Sequence, residues 1–135
     1  MENQSDLKLS TKEANYLERL IKVAEERTED LNLSFGIIIE QHAEKNPNNT
    51  ALLYEDISWS WQTLNQESNK IAYYFLKRGL KAGDTLAVMI ENSLEFFSII
   101  IGINKIQGIS SLINVNQRKQ ALIHSLKISE PSWIV

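Results

Sequence analysis

Apolar and polar positions alternate along the chain with two periods, and the change from one to the other marks the elements. Ser10-Thr11-Lys12-Glu13 has the spacing of a capping box, in which a serine hydroxyl and a glutamate each satisfy an amide left free at a helix start. Ala14, Leu17, Leu20, Ile21 and Ala24 then recur on one helical face. The run Glu25 to Asp30 sets acidic groups against the negative end of the helix dipole, so the helix is expected to fray near Arg27. Residues 1–33 read as an accessory helix followed by a solvated joint. Ser34 can cap a second helix with Phe35, Ile38, Ile39 and His42 on one face, stopped by Asn46-Pro47 because the residue before proline avoids the helical region.

The period then drops to two. Thr50 to Tyr54 and Ile57 to Trp61 are strand-like runs joined by Glu55-Asp56, the spacing of a tight hairpin. Trp61 to Arg78 returns to helical spacing through Leu64, Ile71, Ala72, Phe75 and Leu76, with Gly79 placed as a left-handed cap. Gly83-Asp84 turns into Thr85 to Ile90, a continuous apolar run expected of a strand covered on both faces. Asn92 or Ser93 caps a helix from Leu94 to Gln107, ended by Gly108. Ile109 to Ile113 is a strand, Gln117 to Ile128 a helix, and Ser132 to Val135 opens another strand. Strand, helix, strand, helix, strand with short joints predicts the α/β class: an open, mostly parallel sheet with flanking helices, preceded by a short hairpin. A chain ending in the first residues of a buried strand is expected to be cut from a larger fold, which makes residues 34–135 an incomplete portion of a domain.

Composition narrows the function. A net charge of −3 and a pI near 5.4 give no broad cationic surface of the kind nucleic-acid binding requires. The absence of cysteine removes disulfides, thiolate nucleophiles and cysteine-based zinc sites. The opening MENQSDLKLS lacks the basic-then-apolar order of a secretory signal, so a cytoplasmic location is expected. Phe96 to Ile103 (FFSIIIGI) is far shorter than the roughly 20 residues that span a bilayer, and a buried helix accounts for it better than a membrane-facing one.

Motif chemistry is sparse. The five glycines are scattered, so no GxGxxG or GxxxxGK[ST] loop can bring amides together on phosphate oxygens. His42 and His124 lie far apart without neighbouring ligands, and a structural or surface role suits both. Trp59 and Trp61 fit the packed side of a hairpin better than a stacking platform. Glu55-Asp56 is explained by the turn. Thr85, Asn92, Asn114 and Asn116 stand near strand ends, where α/β sheets form sites, although capping and turn formation also explain them.

The order of these features says more than any one of them. The strings FGIIIEQHAEKNPNNTALLYED, SWSWQTLNQESNKIAYYFLKRGLKAGDTLAVMIENSLEFF and IGINKIQGISSLINVNQRKQALIHSLKISEPSWIV run over roughly three quarters of the chain. In order and spacing they resemble the N-terminal part of the AMP-forming acyl-CoA synthetase (acyl-adenylate-forming) superfamily. Leu112 to Asn116 with Arg118 and Ala121 to Leu126 is similar to the very-long-chain acyl-CoA synthetase and fatty acid transport protein branch. The resemblance implies a ligase that joins a fatty acid to ATP with release of pyrophosphate and then passes the acyl group to coenzyme A, using magnesium. It also implies peripheral contact with a membrane. The family's phosphate loop, ribose-binding aspartate and C-terminal lysine match nothing here, so no catalytic, cofactor-binding or metal-binding residue carries over, and the segment alone is expected to be inactive. An adenylating domain for another carboxylic acid, or a non-catalytic interaction module, is the alternative.

Overall fold

A computed structural model describes residues 10–27 and 33–135. The chain divides into two units, ending and beginning at Leu33 and Ser34.

In the first unit α1 spans Thr11–Arg27. The expected capping box forms: the Ser10 amide and hydroxyl each donate to Glu13 Oε2 at 2.8 Å, and the Glu13 amide donates back to Ser10 Oγ at 3.4 Å. These donors, the backbone amide first, hold the Glu13 carboxyl below its ordinary pKa. The helix continues as far as Arg27. The joint expected after it, with Thr28, Glu29 and Asp30, lies outside the described residues.

The second unit runs α2 (Phe35–Lys45), β1 (Thr50–Tyr54), β2 (Ile57–Ser60), α3 (Trp61–Lys77), β3 (Thr85–Val88), α4 (Leu94–Lys105), β4 (Ile109–Leu112), α5 (Lys119–Ser129) and β5 (Trp133–Ile134). β1 and β2 form an antiparallel hairpin that pairs Leu52 with Trp59 and Tyr54 with Ile57, and Glu55 takes the left-handed conformation its tight turn demands. The other strands make a parallel sheet in the order β4-β3-β5. Leu86, Ala87 and Val88 of the central β3 are all fully buried, as the unbroken apolar run implied. Phe75, Leu80, Ile99 and Ile103 pack against Leu86 and Val88, while α5 lies against β3. A smaller cluster joins Ile39, Leu64 and Ile101 to Leu52, Trp59 and Trp61 of the hairpin region.

Caps fix the helix boundaries. Ser34, Ser60 and Ser93 each accept an amide from three residues on, so Ser93 rather than Asn92 starts α4. Trp61, where the strand-like and helical runs overlapped in the sequence, opens α3 as the helical run implied, and β2 ends at Ser60. At the far end of α3, Gly79 (φ +96°) donates to the Leu76 carbonyl and Leu80 to Phe75, a Schellman pair whose apolar contact is Phe75 with Leu80. α4 ends in the same way, but there the left-handed residue is Gln107 (φ +59°), not glycine. Gly108 stands one position later, where a side chain would meet Ile103 at 2.8 Å.

Two faces differ from the sequence reading. On α2 the buried residues are Gly36 and Ile39 while Phe35 is exposed, because α2 rests on α4 through Gly36, whose amide donates to Asn104 Oδ1 at 2.8 Å. On α3, Leu76 is exposed and Ser68 is fully buried, its hydroxyl returned to the Leu64 carbonyl at 2.7 Å. The small side chain at Ser68 lets α4 approach: a methyl on Gly102 would come within 2.7 Å of the Ser68 carbonyl oxygen. Lys105 locks the same three helices, donating to Glu40 Oε1 at 2.5 Å and Asn65 Oδ1 at 2.6 Å with only 8% of its side chain exposed.

Candidate functional site

Parallel strands present their carboxyl ends to one side, and there the sheet opens a crevice of about 500 Å³. It is lined by Ile90, Glu91, Asn92 and Phe96 after β3, and by Leu112, Ile113, Asn114, Val115 and Asn116 after β4. The first wall stands because Val135 ties down the chain leaving β3, accepting from the Met89 amide at 2.8 Å, and because Ser93 starts α4 immediately afterwards. The second wall is a folded loop. The Ile113 amide donates to the Val88 carbonyl at 2.9 Å, and Asn114 Oδ1 accepts the Asn116 amide at 2.8 Å. Arg118 Nη1 donates to the carbonyls of Val115 and Gln117. In the same loop the Gln117 side-chain oxygen is buried without a hydrogen-bond partner among the described residues.

Of the four strand-end residues singled out in the sequence, Asn92, Asn114 and Asn116 meet in this crevice. Thr85 does not. It begins β3, so it lies at the opposite end of the sheet, where its carbonyl accepts the Ser132 amide. Glu91 and Phe96 complete the lining and carry no sequence signature; only their nearness to the Ser93 cap could have suggested them. His42 stacks on Trp61 with ring centroids 4.5 Å apart and planes 19° from parallel, which joins α2 to the start of α3. His124 is exposed on α5. Among the described residues, a concavity along α1 is lined by Lys12, Asn15, Tyr16, Glu18, Arg19 and Lys22.

Chemically the crevice offers amide donors and acceptors, one carboxylate and an aromatic ring. A magnesium–triphosphate group demands cations and converging backbone amides. No lysine or arginine lines the crevice, and Glu91 adds a negative charge, so these residues do not fit that group. Among the described residues no three histidine, cysteine or acidic side chains converge as for a metal, and no helix is long and apolar enough to cross a membrane.

A hairpin leading into a helix, followed by parallel β-α-β-α-β units with the crevice at their carboxyl ends, defines a piece of an α/β domain. Solved structures share that arrangement. The N-terminal subdomain of NpsA from Klebsiella oxytoca superposes with a TM-score of 0.72 at 19% identity, covering 76% of this chain and 27% of that one. The N-terminal domain of FACL13 from Mycobacterium tuberculosis superposes with a TM-score of 0.70 at 22% identity, covering 75% and 26%. In sequence, bacitracin synthase 2 of Bacillus licheniformis is 30% identical over 104 residues, 77% of this chain but 4% of that protein. Long-chain fatty acid transport protein 1 of Rattus norvegicus is 33% identical over 100 residues, 73% of this chain and 16% of that protein. The family model described as AMP-binding enzyme matches residues 39–135. The chain belongs to the AMP-binding enzyme family and forms an N-terminal segment of its fold. It spans only a small part of the length of the relatives it matches.

Proposed function

We propose that this segment belongs to a ligase that activates a long-chain or very-long-chain fatty acid, joining it to ATP as an acyl-adenylate and passing it to coenzyme A with release of AMP and pyrophosphate. The observation that carries this reading is the likeness, over about 70% of the chain, to long-chain fatty acid transport proteins 1 and 6, supported by the Leu112 to Asn116 step and its Arg118. In this reading the 135 residues supply the opening layers of the sheet. ATP, magnesium and coenzyme A are held by residues other than those described, since the crevice lacks the cations a triphosphate needs. The segment is then inactive by itself, works in the cytoplasm or at a membrane surface, and has no nucleic-acid partner.

A second reading, adenylation of an amino acid or aryl acid, is favoured by the match to bacitracin synthase 2. Pyrophosphate–ATP exchange separates the two. Assayed in the protein that carries this segment, exchange driven by long-chain fatty acids and not by amino or aryl acids is expected. Exchange driven only by amino or aryl acids would replace the first reading with the second. Exchange catalysed by the 135-residue chain alone would refute its inactivity.

A further inference from the structure

Among the helices of the second unit, α5 is the least anchored. With the strand order β4-β3-β5, right-handed crossovers put α4 and α5 on opposite faces of β3. α4 buries six residues and starts at the Ser93 cap. α5 buries none, and Arg118 at its start makes no side-chain cap bond. It meets the sheet through Leu122, Ser125, Leu126 and Ser129, all only partly buried, while Ile123 and Ile128 are exposed. Two of those four contacts are serines, so little apolar area holds the helix down. An 11-residue helix is marginal in water by itself. Both ends add strain, because Lys119 (φ +50°) and Glu130 (φ +42°) take the left-handed conformation without being glycine.

The segment that carries α5 is fastened at two points. On one side the Ile113 amide donates to the Val88 carbonyl. On the other the Ser132 amide donates to the Thr85 carbonyl, and Trp133 meets Phe75 edge-on. Between these points the crevice loop is bonded to itself: Asn114 accepts from Asn116 and Gln117, and Arg118 donates to Val115 and Gln117. Arg118 both starts α5 and holds the loop, so the two are joined. We propose that residues 114–131 unfold locally as one unit, taking away the second wall of the crevice while α3, α4 and the first wall stay in place. The crevice then has one fixed side and one movable side, and opening admits ligands larger than its closed volume of about 500 Å³. This holds whichever carboxylic acid the parent ligase activates.

Hydrogen exchange of the whole chain, resolved by residue, is the test. The amides of Ile123 to Glu130 should exchange together, at least about 100-fold faster than those of Ile99 to Ile103 in α4. Leu126→Ala removes one of the two leucine contacts and should speed exchange in α5 roughly tenfold, leaving α4 unchanged. Glu130→Gly relieves the left-handed strain and should slow exchange in α5 about fivefold, again without effect on α4. The Gln117 amide, bonded to the Asn114 carbonyl, should follow α5 in both variants. Equal exchange in α5 and α4 would overturn the proposal, as would either substitution moving α4 as much as α5. A Gln117 amide that responds to neither variant would also overturn it, because the loop would then not open with the helix.

Discussion

Replacing Gly102 with alanine places a methyl group 2.7 Å from the Ser68 carbonyl oxygen and 2.8 Å from the Ile71 side chain. Ordinary contact needs about 3.4 Å or more, so α3 and α4 would have to separate by several tenths of an ångström. They are poorly able to do so. Leu64 and Ser68 on one side and Ile101 and Ile103 on the other are fully buried, and the clashing atoms are a main-chain oxygen and a β-branched Cβ rather than a flexible tip. Overpacking of this kind costs about 3 kcal/mol at the upper end of its usual range. Alanine's better helix propensity returns about 1 kcal/mol, which leaves a net loss of ~2 kcal/mol. Urea denaturation followed by tryptophan fluorescence should show a midpoint lower by about 1–2 M. An unchanged or raised midpoint would mean that the two helices are not in close contact at Gly102.

Gly79→Ala tests strain without crowding, since open space surrounds that position and only its φ of +96° opposes a side chain; a loss of about 1 kcal/mol is expected, and Gly79→Asn should lose less. Lys105→Met removes the donor shared by Glu40 and Asn65. Because Glu40 is half exposed, the expected loss is about 1–2 kcal/mol, read as a lower melting temperature, and a change within error would show the ion pair to be incidental. Glu13 has a depressed pKa, so its contribution to α1 is complete above its ordinary value of 4.5 and is lost as pH falls through the lowered value. Helicity by circular dichroism should fall across that acid range in the parent, and the difference should vanish in Glu13→Gln. Asn114→Ala, which removes the acceptor for the Asn116 amide, should speed proteolysis within residues 113–118 while leaving the melting temperature nearly unchanged.

Local rules made much of the fold legible. Ser34 located the start of α2, the pair Asn92 and Ser93 located α4, and the continuous run at Leu86 to Val88 announced a strand covered on both faces; the Ser60 cap of α3 lay hidden in a run that read as strand. What escaped depends on neighbours distant in sequence. Phe35 and Leu76 satisfy helical periodicity, yet they are exposed because the close approaches are made at Gly36 and Ser68, where small residues let backbones meet. Lys105 reads as an ordinary basic residue at a helix end; its burial depends on Glu40 and Asn65, on two other helices. Gly108 was read as the end of α4, but Gln107 takes the left-handed conformation there and Gly108 supplies room beside Ile103. For the crevice, three asparagines were visible as strand-end residues. Thr85 was grouped with them although it opens the run Thr85 to Ile90, so chain direction alone sets it at the amino end of β3, away from the crevice.

The origin of the oxygen joining acid to nucleotide tests the proposed reaction most directly. A long-chain fatty acid labelled with heavy oxygen in its carboxylate is turned over with ATP and coenzyme A by the protein that carries this segment. If the carboxylate attacks the α-phosphorus and the acyl carbon then passes to the thiol, one labelled oxygen must remain on AMP, and mass spectrometry should find it there. Unlabelled AMP, or ADP with phosphate in place of AMP, would contradict the account.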